Sequence, residues 1–188
     1  ITKGPLTNAI ACSNSGGYFG AELKFAGWDM VILEGRSPKP VYLCIIDYKA
    51  ELLDASEIWG TSVWNADEWI KSKHQDPMMH VATIGFAGEN GVLYSAIVND
   101  LHRAAGRSGV GAVLGSKNVK ALSVRGTNGV KVKDPQAFLK ATGDGKKVLA
   151  ENAVTGSGLP TYGTQVLMNA INEAGALPTR NSREVQFE

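Results

Sequence analysis

The longest apolar pattern in the chain is VYLCIIDYKAELLDA (residues 41–55), which breaks at the polar DYK and then resumes. A run of this length around a polar turn predicts two strands joined as a hairpin. Shorter runs predict strands at NAIACS from Asn8, DMVILEG from Asp29 and VKALSVRG from Val119. HVATIGFAGENGVLYSAIVND (80–100) predicts two more, around a glycine-rich turn at 85–91. In SVWNADEWIKSKH (62–74) the period becomes helical: Val63, Ala66, Trp69 and Ile70 share one face, with Asp67, Lys71 and Lys73 elsewhere.

Beyond Gly129 the pattern is helical throughout. DPQAFLKATGDGKKVLAENA opens with Asp134 as N-cap and Pro135 at the first helical position. A second helix is expected over about 164–174, closed by Gly175, with Pro178 just beyond. The expected fold class is therefore α+β: a β-rich unit over residues 1–130, then the beginning of an all-helical one over 131–188.

Composition narrows the function classes. A formal net charge of +1 leaves no electrostatic footprint for nucleic acid or an anionic membrane. No apolar run is long enough to span a bilayer. Cys12 and Cys44 have no histidine at metal-ligand spacing and read as reduced thiols of a cytoplasmic protein. The 22 glycines, without a collagen-like period, imply tight turns or backbone brought close to a ligand. The chain opens on Ile1 and closes on REVQFE, and reads as a piece of a longer protein.

Two glycine-rich segments carry the candidate chemistry. In NSGGYFGAELKFAG, Ser15 or Asn14 would cap the following helix, with Gly16 and Gly17 leaving its first N–H groups open. Such a junction either turns the chain or receives a phosphate. In NDLHRAAGRSGVGAVLGSKN, Arg103 and Arg107 lie among Ala104, Ala105 and Gly106, with further glycines at 109, 111 and 115. Arginine suits phosphate because its planar fork donates in pairs and stays protonated. The alternative is a glycine-rich loop whose arginines form salt bridges. The segment is no Walker loop, since Gly115-Ser116-Lys117 inverts the required order. It is no dinucleotide fingerprint either, because GVGAVLG has one residue too many between its last glycines.

The remaining polar residues are less distinctive. His74, His80 and His102 share no metal spacing, and only His102, beside Arg103, stands near a candidate loop. Trp59, Trp64 and Trp69, five apart, are expected to pack in the core. Glu89 in AGENG is either a catalytic carboxylate or, more simply, one accepting from nearby turn N–H groups.

Three long strings carry a resemblance: NSGGYFGAELKFAGWD, AGENGVLYSAIVNDLHRAAGRSGVGAVLGSKNVKALSVRG and GLPTYGTQVLMNAINEAGALPTRN. They resemble the tungsten-dependent aldehyde:ferredoxin oxidoreductases, nearly end to end through residues 1–181. The resemblance implies a tungsten bis-pterin cofactor (tungstopterin) whose phosphates meet at Mg2+. It implies a first domain of two β-sheets forming a saddle beneath that cofactor, followed by helical domains. Asn14 and Ala104 match positions where the family turns backbone oxygens toward the magnesium. Arg103, Gly16 and Gly17 match positions facing the pterin phosphates, and Ser15, Gly106 and Arg107 complete the expected cofactor-binding set.

The resemblance also implies a 4Fe–4S cluster, whose ligands lie outside these residues, as do the acid–base groups. Cys12 and Cys44 match no cluster ligand, and no catalytic residue is assigned to this segment. The implied reaction oxidises an aldehyde to a carboxylic acid and passes electrons to ferredoxin or a ferredoxin-like electron-transfer subunit. The implied enzyme is an oligomer without nucleic acid or membrane partners. Two rivals stand beside it: the tungsten subunit of an aryl-CoA reductase, and a non-catalytic phosphate- or nucleotide-binding module. A NAD-dependent dehydrogenase is the weakest rival, because the glycine spacing fails.

Overall fold

The computed structural model describes residues 1–187. They fall into two compact units, Ile1–Val130 and Lys131–Glu188. The first opens with β1 (Thr2–Lys3) and β2 (Ile10–Ala11), paired antiparallel, and helix α1 (Phe19–Phe25). There follow β3 (Val41–Ile46), β4 (Lys49–Asp54), α2 (Val63–His74), β5 (His80–Thr83) and α3 (Phe86–Glu89). Then come β6 (Ile97–Asn99), β7 (Arg103–Ala105), α4 (Val110–Ser116) and β8 (Val119–Arg125). Six of these strands form one mixed sheet in the order β4-β3-β8-β5-β6-β7. Within it β3 runs parallel to β8, and every other neighbouring pair is antiparallel.

Strand β3 shows why an unbroken apolar run was needed. Tyr42 and Cys44 point into a core with Ala55, Ile58, Ala66, Ile70 and Met79. Leu43 and Ile45, of opposite parity, pack with Ala26 and Val124 on the other face. Both faces are covered, so the strand does not alternate apolar with polar. The predicted hairpin is present with Val41 opposite Asp54 and Ile46 opposite Lys49. The predicted helix is α2, whose N-cap Ser62 accepts the Asn65 N–H at 3.2 Å. Asp67, expected away from the apolar face, is nonetheless buried and is held by Lys71 at 2.8 Å.

Three local expectations are corrected. Residues 29–35 form no strand. Val31 and Leu33 pack on the core while Met30 and Ile32 face out, so the period-2 signal is real, but the segment joins no ladder. The turn at 85–91 contains the one-turn helix α3. The glycine-rich stretch after Gly106 is largely a 3-10 turn (Arg107–Gly109) leading into helix α4. Its glycines serve packing: a Cβ on Gly115 would lie 1.9 Å from the Gly88 carbonyl oxygen, and one on Gly111 2.6 Å from that of Ala96. Backbone there approaches backbone, not a ligand. Among the tryptophans, Trp69 packs edge-on against Tyr42, whereas Trp64 is 60% exposed and lies outside any core.

One buried ion pair crosses this unit. Lys120, fully buried, pairs with Glu89 and donates to the Thr61 carbonyl at 2.9 Å. Glu89 also accepts the Gly60 N–H at 3.0 Å. Burial pushes the Lys120 ammonium below its ordinary value, against the opposing pull of Glu89. Glu89 thus takes a structural role in a turn.

The second unit contains α5 (Pro135–Glu151), α6 (Leu159–Tyr162) and α7 (Met168–Glu173), linked by π-helical and 3-10 turns. Asp134 caps α5 by accepting the Ala137 N–H at 3.0 Å. The expected helix at 164–174 begins as a 3-10 turn (Gly163–Leu167) before α7, and Gly175 closes it with φ of 64°. None of the described residues of this unit is buried. No helix among the described residues is long and apolar enough to cross a membrane.

Candidate functional site

Strands β6 and β7 form a hairpin at the sheet edge, and residues 13–17 lie along it. Asn99 Nδ2 donates to the Gly16 carbonyl at 2.9 Å, while its Oδ1 accepts from the Ser15 hydroxyl. At the other end of the loop, Ser13 Oγ accepts the Arg107 N–H at 3.0 Å. Two segments more than eighty residues apart in sequence are thereby fastened side by side.

The Arg103 side chain runs beside both glycines. A Cβ on Gly16 would stand 3.7 Å from Arg103 Cδ, an ordinary contact. Gly17 is different: its φ is +92°, and a Cβ there would lie 2.3 Å from Asp100 Oδ2 and 3.1 Å from Arg103 Cγ. Only glycine meets both the conformation and the space at 17.

Asp100 corrects the capping expectation. Neither Ser15 nor Asn14 caps α1; the Tyr18 and Phe19 N–H groups donate to Asp100 Oδ2 at 2.7 and 3.4 Å. The anion at this helix start is the protein's own carboxylate, so a phosphate would have to lie elsewhere on the loop. His80 Nδ1 meets Asp100 Oδ1 at 2.6 Å, and Asn99 Nδ2 donates to Oδ2 at 3.0 Å. Burial alone would raise the Asp100 carboxyl, but the bonds from His80, the Tyr18 N–H and Asn99 hold it below the usual carboxylate range.

Arg103, Ala104, Gly106 and Arg107 are exposed, as are Asn14, Ser15, Gly16 and Gly17. Among the described residues neither arginine side chain has a hydrogen bond or a carboxylate partner, so the salt-bridge alternative does not occur. The eight sequence-derived positions therefore meet at one exposed edge carrying two uncompensated guanidinium groups. No group of three metal-ligating side chains exists among the described residues. A cation at this edge would have to be held by backbone oxygens and by the oxygens of its own ligand, which is the donor set expected for hard Mg2+. The free guanidinium pair and the glycine approach fit a polyphosphorylated ligand.

Sequence reasoning missed Asn99, Asp100 and His80, and it watched His102, which is exposed at the hairpin tip. A signal did exist: Asn-Asp between AIV and RAA is turn chemistry that tolerates positive φ. Asp100 and Leu101 have φ of 50° and 58°. Elsewhere, Tyr42 bonds His74 at 2.9 Å beside Cys44. Burial pushes the Cys44 thiol up and the Tyr42 hydroxyl to about 12, which makes this cluster packing rather than a nucleophile.

Comparison with known proteins gives concordant matches. The model for the aldehyde ferredoxin oxidoreductase N-terminal domain matches residues 1–126, and that for domains 2 and 3 of the same family matches 140–188. The chain is 52% identical to the tungsten-containing aldehyde ferredoxin oxidoreductase of Pyrococcus abyssi, over 100% of this chain and 31% of the relative. It is 51% identical to that of Thermococcus kodakarensis with the same coverage. The chain thus spans about a third of the length of these curated relatives. A Pyrococcus furiosus protein named aliphatic sulfonate oxidoreductase, WOR-like subunit, is 37% identical over 68% of this chain and 22% of its own. Among solved structures, the active-site complex BamBC of benzoyl coenzyme A reductase superposes with a TM-score of 0.75 at 40% identity, covering 80% of this chain and 23% of that one.

Proposed function

This chain belongs to the aldehyde ferredoxin oxidoreductase family, and on that premise we propose that its first unit cradles a tungsten bis-pterin cofactor within a longer enzyme. The observation that carries this reading is the meeting of residues 13–17 with Arg103 and Arg107, both unpaired among the described residues, at one exposed edge. Two phosphates brought close together repel strongly, and cations must offset that repulsion. Arg103 and Arg107 supply fixed positive charge, and the carbonyl oxygens of Asn14 and Ala104 would hold Mg2+, which would offset the remaining phosphate charge. Gly106 leaves the backbone open to the ligand, Gly16 lets it lie beside Arg103, and Gly17 lets the loop close on Asp100. Ser15 keeps that loop in place through Asn99.

When bound, the cofactor supplies the redox chemistry, the oxidation of an aldehyde to a carboxylic acid. The residues of this chain bind it, orient it and neutralise its phosphates. The 4Fe–4S cluster, the acid–base groups and the contact with ferredoxin or a ferredoxin-like subunit belong to parts of the enzyme outside these 188 residues. The whole protein is proposed to be a cytoplasmic oligomer.

The test uses the whole enzyme purified without air. Elemental analysis is expected to find about one tungsten per chain, as a bound cofactor requires. Arg103→Ala should lower tungsten retention by about tenfold, as loss of a cofactor-holding partner does. The ratio of kcat/KM between two aldehydes should shift by less than about twofold, since substrate contacts lie elsewhere. Full tungsten occupancy in that variant would overturn the cradle reading. Absence of tungsten and molybdenum from the native enzyme would leave a non-catalytic phosphate-binding module.

A second reading, a subunit of an aryl-CoA reductase, is favoured by one observation: the 40% identity to the BamBC complex. Anaerobic assays with aldehydes and with an aryl-CoA thioester separate the two. Turnover of the thioester alone would select the second.

A further inference from the structure

We infer that Asp100, backed by His80, is the positioning residue that sets the Gly16 and Gly17 loop at its working distance from Arg103. The inference rests on the cradle reading, in which Arg103 faces a phosphate. Helix α1, Asn99 of β6 and His80 of β5 all bond to this one carboxylate. Its Oδ2 receives the Tyr18 and Phe19 N–H groups at 2.7 and 3.4 Å, and so fixes the chain immediately after Gly17. The same oxygen receives Asn99 Nδ2 at 3.0 Å, and Asn99 in turn holds the Gly16 carbonyl at 2.9 Å and the Ser15 hydroxyl. Its Oδ1 is tied to β5 through His80 at 2.6 Å.

The backbone argues the same way. Asp100 and Leu101 both have positive φ, at 50° and 58°, in the tip that leads directly into Arg103. A leucine in that region is disfavoured by sterics, and such a conformation persists only where its surroundings over-determine it. The side-chain bonds of Asp100 supply that over-determination. Gly17 records the tightness of the joint, because any Cβ there would strike Asp100 Oδ2 at 2.3 Å. Both Asp100 oxygens are taken up by these protein donors, so it is a positioning residue that acts through the loop and Arg103.

The test is a double-mutant cycle in the whole tungsten enzyme, read as the rate of tungsten loss during anaerobic dialysis. Asp100→Asn keeps the shape but places an amide N–H group against donors. It should speed tungsten loss by about tenfold, the scale of outer-shell substitutions at metal sites. In the Arg103→Ala background the same change should add less than about twofold, because the two residues act on one contact. A purely structural defect would instead multiply the loss equally in both backgrounds, and that result overturns the inference. Wild-type tungsten retention in Asp100→Asn overturns it as well. If Asp100→Asn does not fold, His80→Gln removes the bond to β5 together with the ring contact to Tyr18, and must show the same coupling to Arg103, more weakly; additivity there counts against the inference. Should Arg103→Ala itself retain tungsten fully, the cradle reading falls first, whatever Asp100 does.

Discussion

At the scale of single residues, the costliest partnership in the first unit is that of Lys120 and Glu89. The Lys120 side chain is 0% exposed and that of Glu89 5%, so each charge depends on the other and on the Thr61 carbonyl and Gly60 N–H. Lys120→Met leaves Glu89 buried without its counter-ion, and the expected loss is about 3–5 kcal/mol. Adding Glu89→Leu should recover most of it, since an apolar pair of similar volume is often as stable as a buried ion pair. Urea midpoints at unchanged m-value check both; equal stability of Lys120→Met and the parent would contradict the account. The pair was not legible in the sequence, where Glu89 read as a turn residue. Asp134, by contrast, was legible as a cap because its acceptor role is completed three residues away, at Ala137. Asp100 does the same job for α1 from 82 residues away, and no local pattern reports that.

At the scale of elements, periodicity located what burial controls. β3, β8 and α2 were legible because each buries its apolar positions against a neighbour at the spacing its geometry dictates. Residues 29–35 show the limit: their alternation records one buried and one exposed face, but strand formation needs a ladder partner as well. The glycines of α4 show another. They read as a glycine-rich loop, yet Gly115 lies where a Cβ would come within 1.9 Å of the Gly88 carbonyl oxygen. Gly115→Ala must therefore push backbone from backbone, with an expected cost of about 3 kcal/mol or more. Gly143, in α5, meets nothing within 4 Å, and Gly143→Ala should instead stabilise its helix by about 0.5–1 kcal/mol. Thermal midpoints that move in the same direction for both substitutions would refute this distinction.

At the scale of the whole molecule, the two units differ in what sustains them. The first has three apolar clusters on and around one sheet. The second buries none of its described residues, and Phe138, Leu139, Val148 and Leu149 of α5 are all more than half exposed. An isolated helix of this length is marginal in water, because nucleation is costly and packing supplies most helical stability. Residues 131–188 prepared alone should show only a minor part of their helix content by circular dichroism. A cooperative thermal transition in that peptide would show that it packs by itself.

The sequence by itself determined the division into a β-rich and a helical part, the hairpin, the cap of α5 and the family. All of these are written in short-range periodicity, capping chemistry or long matching strings. It also marked Asn14 to Gly17 and Arg103 to Arg107 as candidate segments, through their glycine and arginine content. Only the tertiary structure decided that the two segments touch, that Asp100 occupies the helix start between them, and that both arginines stay unpaired among the described residues. Those facts depend on which distant groups compete for each hydrogen bond, and that competition exists only once the chain has closed on itself.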